Sequence, residues 1–406
     1  MKFLCTTFDS AYPARTDASR RLGIAVNALR EQGHHVIVAE AAPGSVAGGR
    51  QAALGWSVRL EPVVFDGDPG VATALALKKN FRALTKIIKA TGPDVVLAHD
   101  LASAHCALRA VDETEFGEVV VDFSGGRLSR AGGNELLFSP LWLRFWEQRE
   151  IRVVRSDARV LTSSTALRDA LAALGRAPQQ VRVIGDGVNA KVFARDPFRR
   201  MRPKAALDNE AIVAIHGLCR TDHAHVIVAA AKQVVERRPE VKFWVLASPV
   251  VEEVRRLTVY ANLSGSFHFA PWDHPDSLSA SLGSADLAIV APLGGTHAEE
   301  RLDPHVLEAA ACELPVVIPA TEANRELEQR LPHLKLYRQG SAEAISRSVL
   351  DLLQVERRLT LMGRELRERI EDTCTQQRLA QAFVSELVQL PVAAPRRLRT
   401  MQASPA

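Results

Sequence analysis

Hydrophobic residues along this chain fall into short, nearly unbroken apolar runs, separated by longer stretches in which they recur every three or four positions. In the first half the runs are KFLCTT, HVIVAE, LEPVVF, DVVLAH, EVVVDF, ARVLTS and VRVIGD. Runs this short and this rich in β-branched residues predict strands. DVVLAH and EVVVDF are almost without a polar face, as in strands covered on both sides. Between the first two runs lies ASRRLGIAVNALREQG, where Leu22, Val26 and Leu29 recur at helical spacing and Gly33 supplies a C-terminal stop. Strand, helix and strand alternating in this way predict a parallel, doubly wound α/β sheet.

The alternation breaks at NAKVFARDPFRRMRPKAALDNEA, a basic, proline-containing stretch that reads as a linker. It restarts with AIVAIHG, VKFWVLAS, SFHFAP, ADLAIVAP and LPVVIPA. The pattern therefore predicts two similar domains, over residues 1–200 and 205–385, with ligand crevices at the C-terminal ends of their strands and facing each other across a cleft. A length of 406 residues agrees, since one core rarely organises so long a chain. The terminal LPVAAPRRLRTMQASPA has Pro, Arg and small residues without periodicity, and residues 390–406 are expected to be a disordered tail.

Composition changes the picture mainly by exclusion. A net charge of +4, with only 5% aromatic residues and no Lys/Arg block alternating with aromatics, gives no nucleic-acid footprint. Five scattered cysteines, Cys5, Cys106, Cys219, Cys312 and Cys374, read as reduced thiols of a cytoplasmic protein. The start MKFLCTTFDSAYP lacks the pattern of a signal peptide, and no apolar run approaches the roughly 18 residues that span a bilayer. Membrane contact is thus expected only at the periphery. No GxGxxG follows the first strand and no GxxxxGK[ST] occurs, so no dinucleotide or P-loop site is expected. The Asp, Glu and His positions show no metal-ligand spacing, which predicts neither metal nor cofactor.

One segment carries candidate chemistry: ERLDPHVLEAAACELPVV, Glu300 to Val317. Its carboxylates Glu300 and Glu308 are separated by seven residues. The plain reading is a packed helix with Glu308 on a solvated face. The functional reading is a ligand site at a helix start, with Asp303 as N-cap and Pro304 in the first turn, where its missing N–H costs nothing. EAAACELPVV, together with VIGDGVNAKVF and, in order, PDVVLAHD, SDARVLTSS and GSADLAIVAPL, resembles the large family of retaining glycosyltransferases of GT-B fold. Members often read E-A-M-A-C-G-x-P-V-V and I-P-N-G-V-D-x-x-x-F at these places. The likeness runs from the first strand to about residue 385.

The resemblance implies two Rossmann-like domains, a nucleotide-diphosphate sugar held mainly by the second and an acceptor of unknown identity held by the first. It also implies transfer with retention and without an essential metal. Glu308 would take the ribose hydroxyls, Glu300 would lie beside the transferred sugar, and helix N-terminal amides would meet the diphosphate. The chain departs from the family close to this chemistry. Arg301, Leu302 and Asp303 replace a G-F-G, His305 stands where a Lys is common, and Glu313 replaces a Gly. In IHGLCRTDHAH, Arg220 with His223 and His225 are the candidates for charge growing on the leaving phosphates. In the first domain FDSAYPARTDASRR replaces a glycine-rich turn, bringing Arg15, Arg20 and Arg21 near the strand ends. A His common after the family's V-V-V-D falls at Ser124, which cannot serve as a base, while His99 and Asp100 end a strand on the acceptor side. The alternative function is a degenerate GT-B-like protein that binds a nucleotide sugar or acts as a scaffold. A nucleotide-sugar epimerase fits less well, because the paired-carboxylate spacing belongs to the transferases.

Overall fold

The computed structural model describes residues 1–8, 17–41, 57–60, 70–123, 140–196, 198, 211–246, 248–270, 275–293 and 298–390. They divide into two α/β units. In the first, seven parallel strands are β1 (Lys2–Thr7), β2 (His35–Ala41), β3 (Ser57–Leu60), β4 (Val95–Ala98), β5 (Glu118–Phe123), β6 (Arg159–Thr162) and β7 (Val181–Val183). Their order is β3-β2-β1-β4-β5-β6-β7, so the winding reverses between β1 and β4. The continuous apolar runs have the reason expected of them. Val95 and Leu97 of β4 pack beneath helix Asp17–Glu31, whereas Val96 and Ala98 pack beneath the helices on the other face. Most of LEPVVF falls at 61–65, outside the described residues; β3 ends at Leu60, where that run begins.

The second unit has six parallel strands, β8 (Ile212–His216), β9 (Lys242–Leu246), β10 (Phe267–Ala270), β11 (Leu287–Val290), β12 (Val316–Pro319) and β13 (Leu334–Tyr337). Their order is β10-β9-β8-β11-β12-β13, with the reversal between β8 and β11. The strand β13, LKLY, has no counterpart in the sequence pattern. It is a four-residue edge strand with Lys335 exposed, too short and too interrupted to show as an apolar run.

The division between units differs from the one expected at residues 200 and 205–385. The first unit ends at Gly185 and takes up the chain again from Leu379, while the second holds Asp186–Gly294 and Ala298–Arg378. The reason is the last helix, Gln376–Val388, which buries Leu379, Phe383 and Leu387 against the first sheet. Each such side chain contributes roughly 1.5–3 kcal/mol relative to exposure. The motif VIGDGVNAKVF marks this passage. Val188 N–H donates to Cys374 O at 2.9 Å, and Gln376 N–H donates back to Val188 O at 2.9 Å. A Cβ on Gly187 would lie 2.4 Å from Thr375 O, so only glycine permits the two segments to meet. The expected tail, from residue 391 on, lies outside the described residues.

Glu313 solves the turn that a glycine makes in the resembling family. Helix Pro304–Ala311 ends in a Schellman motif, with Glu313 N–H donating to Ala310 O at 3.1 Å and Leu314 N–H to Ala309 O at 3.3 Å. Glu313 holds φ 59°, in the left-handed region that burdens any residue with a Cβ. Glu313→Gly should therefore stabilise the second unit by about 0.5–1 kcal/mol, the relief of strain exceeding the added entropy of the unfolded chain. A urea titration should show a higher midpoint at unchanged slope, and a lower midpoint would contradict this account.

Candidate functional site

In an open parallel sheet, ligands settle outside the C-terminal strand ends where the order reverses. In the second unit that place is the end of β8 beside β11. His216 is the last residue of β8, and Gly217 follows with φ 72°. A Cβ on Gly217 would lie 2.8 Å from His305 Nδ1, so the glycine lets the start of helix Pro304–Ala311 close onto the strand end. Asp303 is the N-cap of that helix, as its sequence position suggested. Its Oδ1 accepts from His305 N–H at 2.9 Å and meets His305 Nδ1 at 2.8 Å. One turn further on, Glu308 Oε2 accepts from His216 Nε2 at 2.7 Å. The His216 and His305 rings stand edge to face, with centroids 4.5 Å apart. Glu308 is 17% exposed, so it belongs to a polar cluster at the C-terminal strand ends and not to a solvated helix face. Burial, with His305 beside it, holds the His216 pKa below that of an ordinary histidine even though Glu308 works to raise it. A neutral His216 donating from Nε2 is the form that results.

The amides at this helix start are already engaged. Pro304 has none, His305 N–H donates to Asp303, and Val306 N–H donates to Asp303 O at 3.1 Å. Arg220 ends the loop after β8 and precedes helix Thr221–Val235, with its guanidinium on Asp222 at 3.0 and 2.9 Å. His223 is half-buried, and burial holds its pKa below that of an ordinary histidine. His225 is 58% exposed and turned to Glu253 at 3.4 Å. Two residues on from His223, it projects from a different side of the helix and lies apart from the His216–Glu308 cluster. Glu300 closes a turn, and Arg301 and Leu302 after it are buried. The neighbouring Glu299 accepts from Gln339 and gives its carbonyl to Ala323 N–H at 3.0 Å, so the two adjacent carboxylates are not equivalent.

The first unit uses its polar strand ends differently. Asp100 caps helix Leu101–Thr114 through Ser103 N–H at 2.7 Å, and its other oxygen accepts from Thr7 Oγ1 at 3.0 Å and Phe8 N–H at 2.8 Å. It thus ties the end of β1 to the end of β4. His99 is fully buried, with Nδ1 at 3.0 Å from Asp122 Oδ2. Arg21 grips the same carboxylate in a fork, Nε at 2.8 Å and Nη2 at 2.7 Å, and donates from Nη1 to Gly185 O at 2.8 Å. Phe383 covers the guanidinium at 5.3 Å. Burial works to raise the Asp122 carboxyl, but Arg21 and the His99 hydrogen bond outweigh it and hold the group well below the usual carboxylate range.

Residues 19–192 match the family described as Glycosyltransferase Family 4, and residues 210–355 match Glycosyl transferases group 1. Together the two matches span well over half of the chain. The protein belongs to the GT-B glycosyltransferases. Solved structures agree with the fold. Sucrose-phosphate synthase from Thermosynechococcus elongatus superposes with a TM-score of 0.78 at 16% identity, over 98% of this chain and 99% of that one. Anabaena HepE, solved with UDP and glucose, gives 0.73 at 16% identity over 96% and 100%. A glycosyltransferase from Rickettsia africae gives 0.69 at 13% identity over 96% and 99%. No curated protein matches the sequence at a significant level.

For this glycosyltransferase the fold gathers Glu308, His305, Asp303 and Pro304, with Arg220 and His223 at the neighbouring strand ends. It does not gather His225 with them. His99 and Asp100, expected on the acceptor side, serve inside the first unit, because a buried charged pair and a strand-end tie absorb their polar atoms. Arg15 and Ser124 lie outside the described residues. Two residues were missed. His216 had a signal, a lone polar residue ending the apolar run AIVAIH, as His99 ends DVVLAH. Asp122 had a fainter one, a carboxylate inside EVVVDF that burial obliges to find a partner.

Proposed function

We propose that this glycosyltransferase moves a sugar from a uridine diphosphate sugar to an as yet unidentified acceptor, with retention at the anomeric carbon, and that the second unit holds the donor. The observation that carries the reading is Glu308, a largely buried carboxylate held by His216 at the strand ends where the sheet order reverses. A carboxylate offers about four acceptor positions, so it can hold both ribose hydroxyls beside the His216 bond. The uridine assignment is supported by HepE, which was solved with UDP and with UDP-glucose. As the bond to the diphosphate loosens, negative charge grows on the leaving oxygens and needs a fixed cation. Arg220 is the cation nearest that role in the loop after β8. Its partner Asp222 is 56% exposed, and such pairs are weak enough for a diphosphate to displace. Glu300 is assigned to the hydroxyls of the transferred sugar. No helix among the described residues is long and apolar enough to cross a membrane, so an acceptor on a membrane would be met from its surface.

Millimolar UDP should raise the melting temperature by mass action, and by as much in a metal chelator as without one. No shift with any uridine nucleotide would remove the donor assignment. A shift that vanishes in chelator and returns with magnesium or manganese would show that the donor is bound through a metal. The anomeric proton of the product, followed by NMR, reports retention or inversion directly.

A further inference from the structure

His305 and Glu308 stand one helical turn apart on one face of helix Pro304–Ala311, and His216 reaches them from the end of β8. One ligand-type atom from each lies within 4.8 Å of the others, the one such grouping among the described residues. Two imidazoles and a carboxylate are the donor set of zinc and its neighbours, whereas magnesium and calcium prefer oxygen alone. Several details go beyond proximity. Asp303 Oδ1 lies 2.8 Å from His305 Nδ1, the kind of carboxylate–imidazole contact that orients a metal-ligating ring. Gly217, with no Cβ to push the ring away, lets it close onto the end of β8. His305 is 32% exposed, so a water has access to a fourth position.

We propose that His216, His305 and Glu308 form a binding site for a zinc-class divalent cation, and that its occupation excludes the nucleotide from Glu308. The second half rests on the donor reading above; the first does not. Zinc bonds nitrogen and oxygen at roughly 2.0–2.2 Å, which sets tetrahedral ligand atoms roughly 3.3 Å apart. The 2.7 Å between His216 Nε2 and Glu308 Oε2 has to open slightly, and His305 has to close in, both by small side-chain rotations. The ion replaces the proton that His216 now shares with Glu308. A ribose then loses the carboxylate that would accept its hydroxyls.

Metal-stripped full-length protein should be titrated with Zn2+ by calorimetry, and with Co2+ followed by its visible absorption. One ion per chain is expected, with the intense bands of four-coordinate cobalt. His305→Gln and Glu308→Gln should each weaken binding about tenfold or more. Cys219→Ser, which removes the half-buried thiol three residues after His216, should not change it. UDP should raise the apparent dissociation constant for zinc linearly with its concentration, by the ratio of that concentration to its own dissociation constant. Melting temperatures of the variants show whether a loss of binding is a loss of fold. Absence of stoichiometric binding, or binding untouched by His305→Gln in a folded variant, would overturn the site. Simultaneous binding of zinc and UDP would overturn the exclusion. UDP titrated alone, in chelator, tests the donor reading separately, because it can fail while zinc still binds.

Discussion

Asp122→Leu should destabilise the first unit by about 3–5 kcal/mol, the usual consequence of stripping one partner from a buried ion pair. Arg21 is 1% exposed and Asp122 is 0% exposed, so the guanidinium left behind would have no water to replace the carboxylate. His99 would lose its partner in the same step. The double variant Arg21→Leu with Asp122→Leu should recover most of the loss, because it leaves no buried charge unpaired. Denaturation followed by the buried Trp146 of the first unit separates these outcomes. A single variant within 1 kcal/mol of the wild type would mean that the pair does not hold the fold; roughly that margin is what a surface pair is worth. The same carboxylate sets an acid limit. Its folded pKa is depressed, so its stabilisation is complete above the unfolded value of about 3.9 and is lost as pH falls below that, toward the folded value. The double variant should lose stability less steeply than the wild type below about pH 4.

Glu308→Gln should weaken UDP binding about ten- to a hundredfold, on the order of 1–3 kcal/mol, with the melting temperature of the free protein little changed. The carboxylate accepts at every position, whereas the amide replaces one oxygen with a donor group that cannot take a hydroxyl proton. At 17% exposure the side chain is close enough to solvent for the change to spare the fold. In the role proposed for it, Arg220 meets oxygens that become more negative in the transition state, so Arg220→Ala should lower turnover more than binding. Isothermal titration of UDP, alongside initial rates with a UDP-sugar, reads both effects. Unchanged affinity in a folded Glu308→Gln protein would return Glu308 to being an ordinary helical residue.

Hydrophobic patterning by itself determined the two parallel sheets and most of their strands, and residue type determined the cap and first turn at Asp303 and Pro304. These features rest on contacts within about four residues, or on burial of both faces of a strand, and local order displays both. Glu308 was singled out through the family resemblance carried by EAAACELPVV, a stretch of local sequence. Tertiary structure alone decided what Glu308 touches, since His216 lies 92 residues away in the chain. It alone paired Arg21 with Asp122 across 101 residues and turned His99 inward. It also sent His225 out toward Glu253 and returned the last helix to the first sheet. β13 likewise exists only because β12 offers an unpaired edge to a segment with little pattern of its own. In each case the deciding energy is the burial or pairing of a group whose partner is remote in sequence, and no spacing along the chain records it.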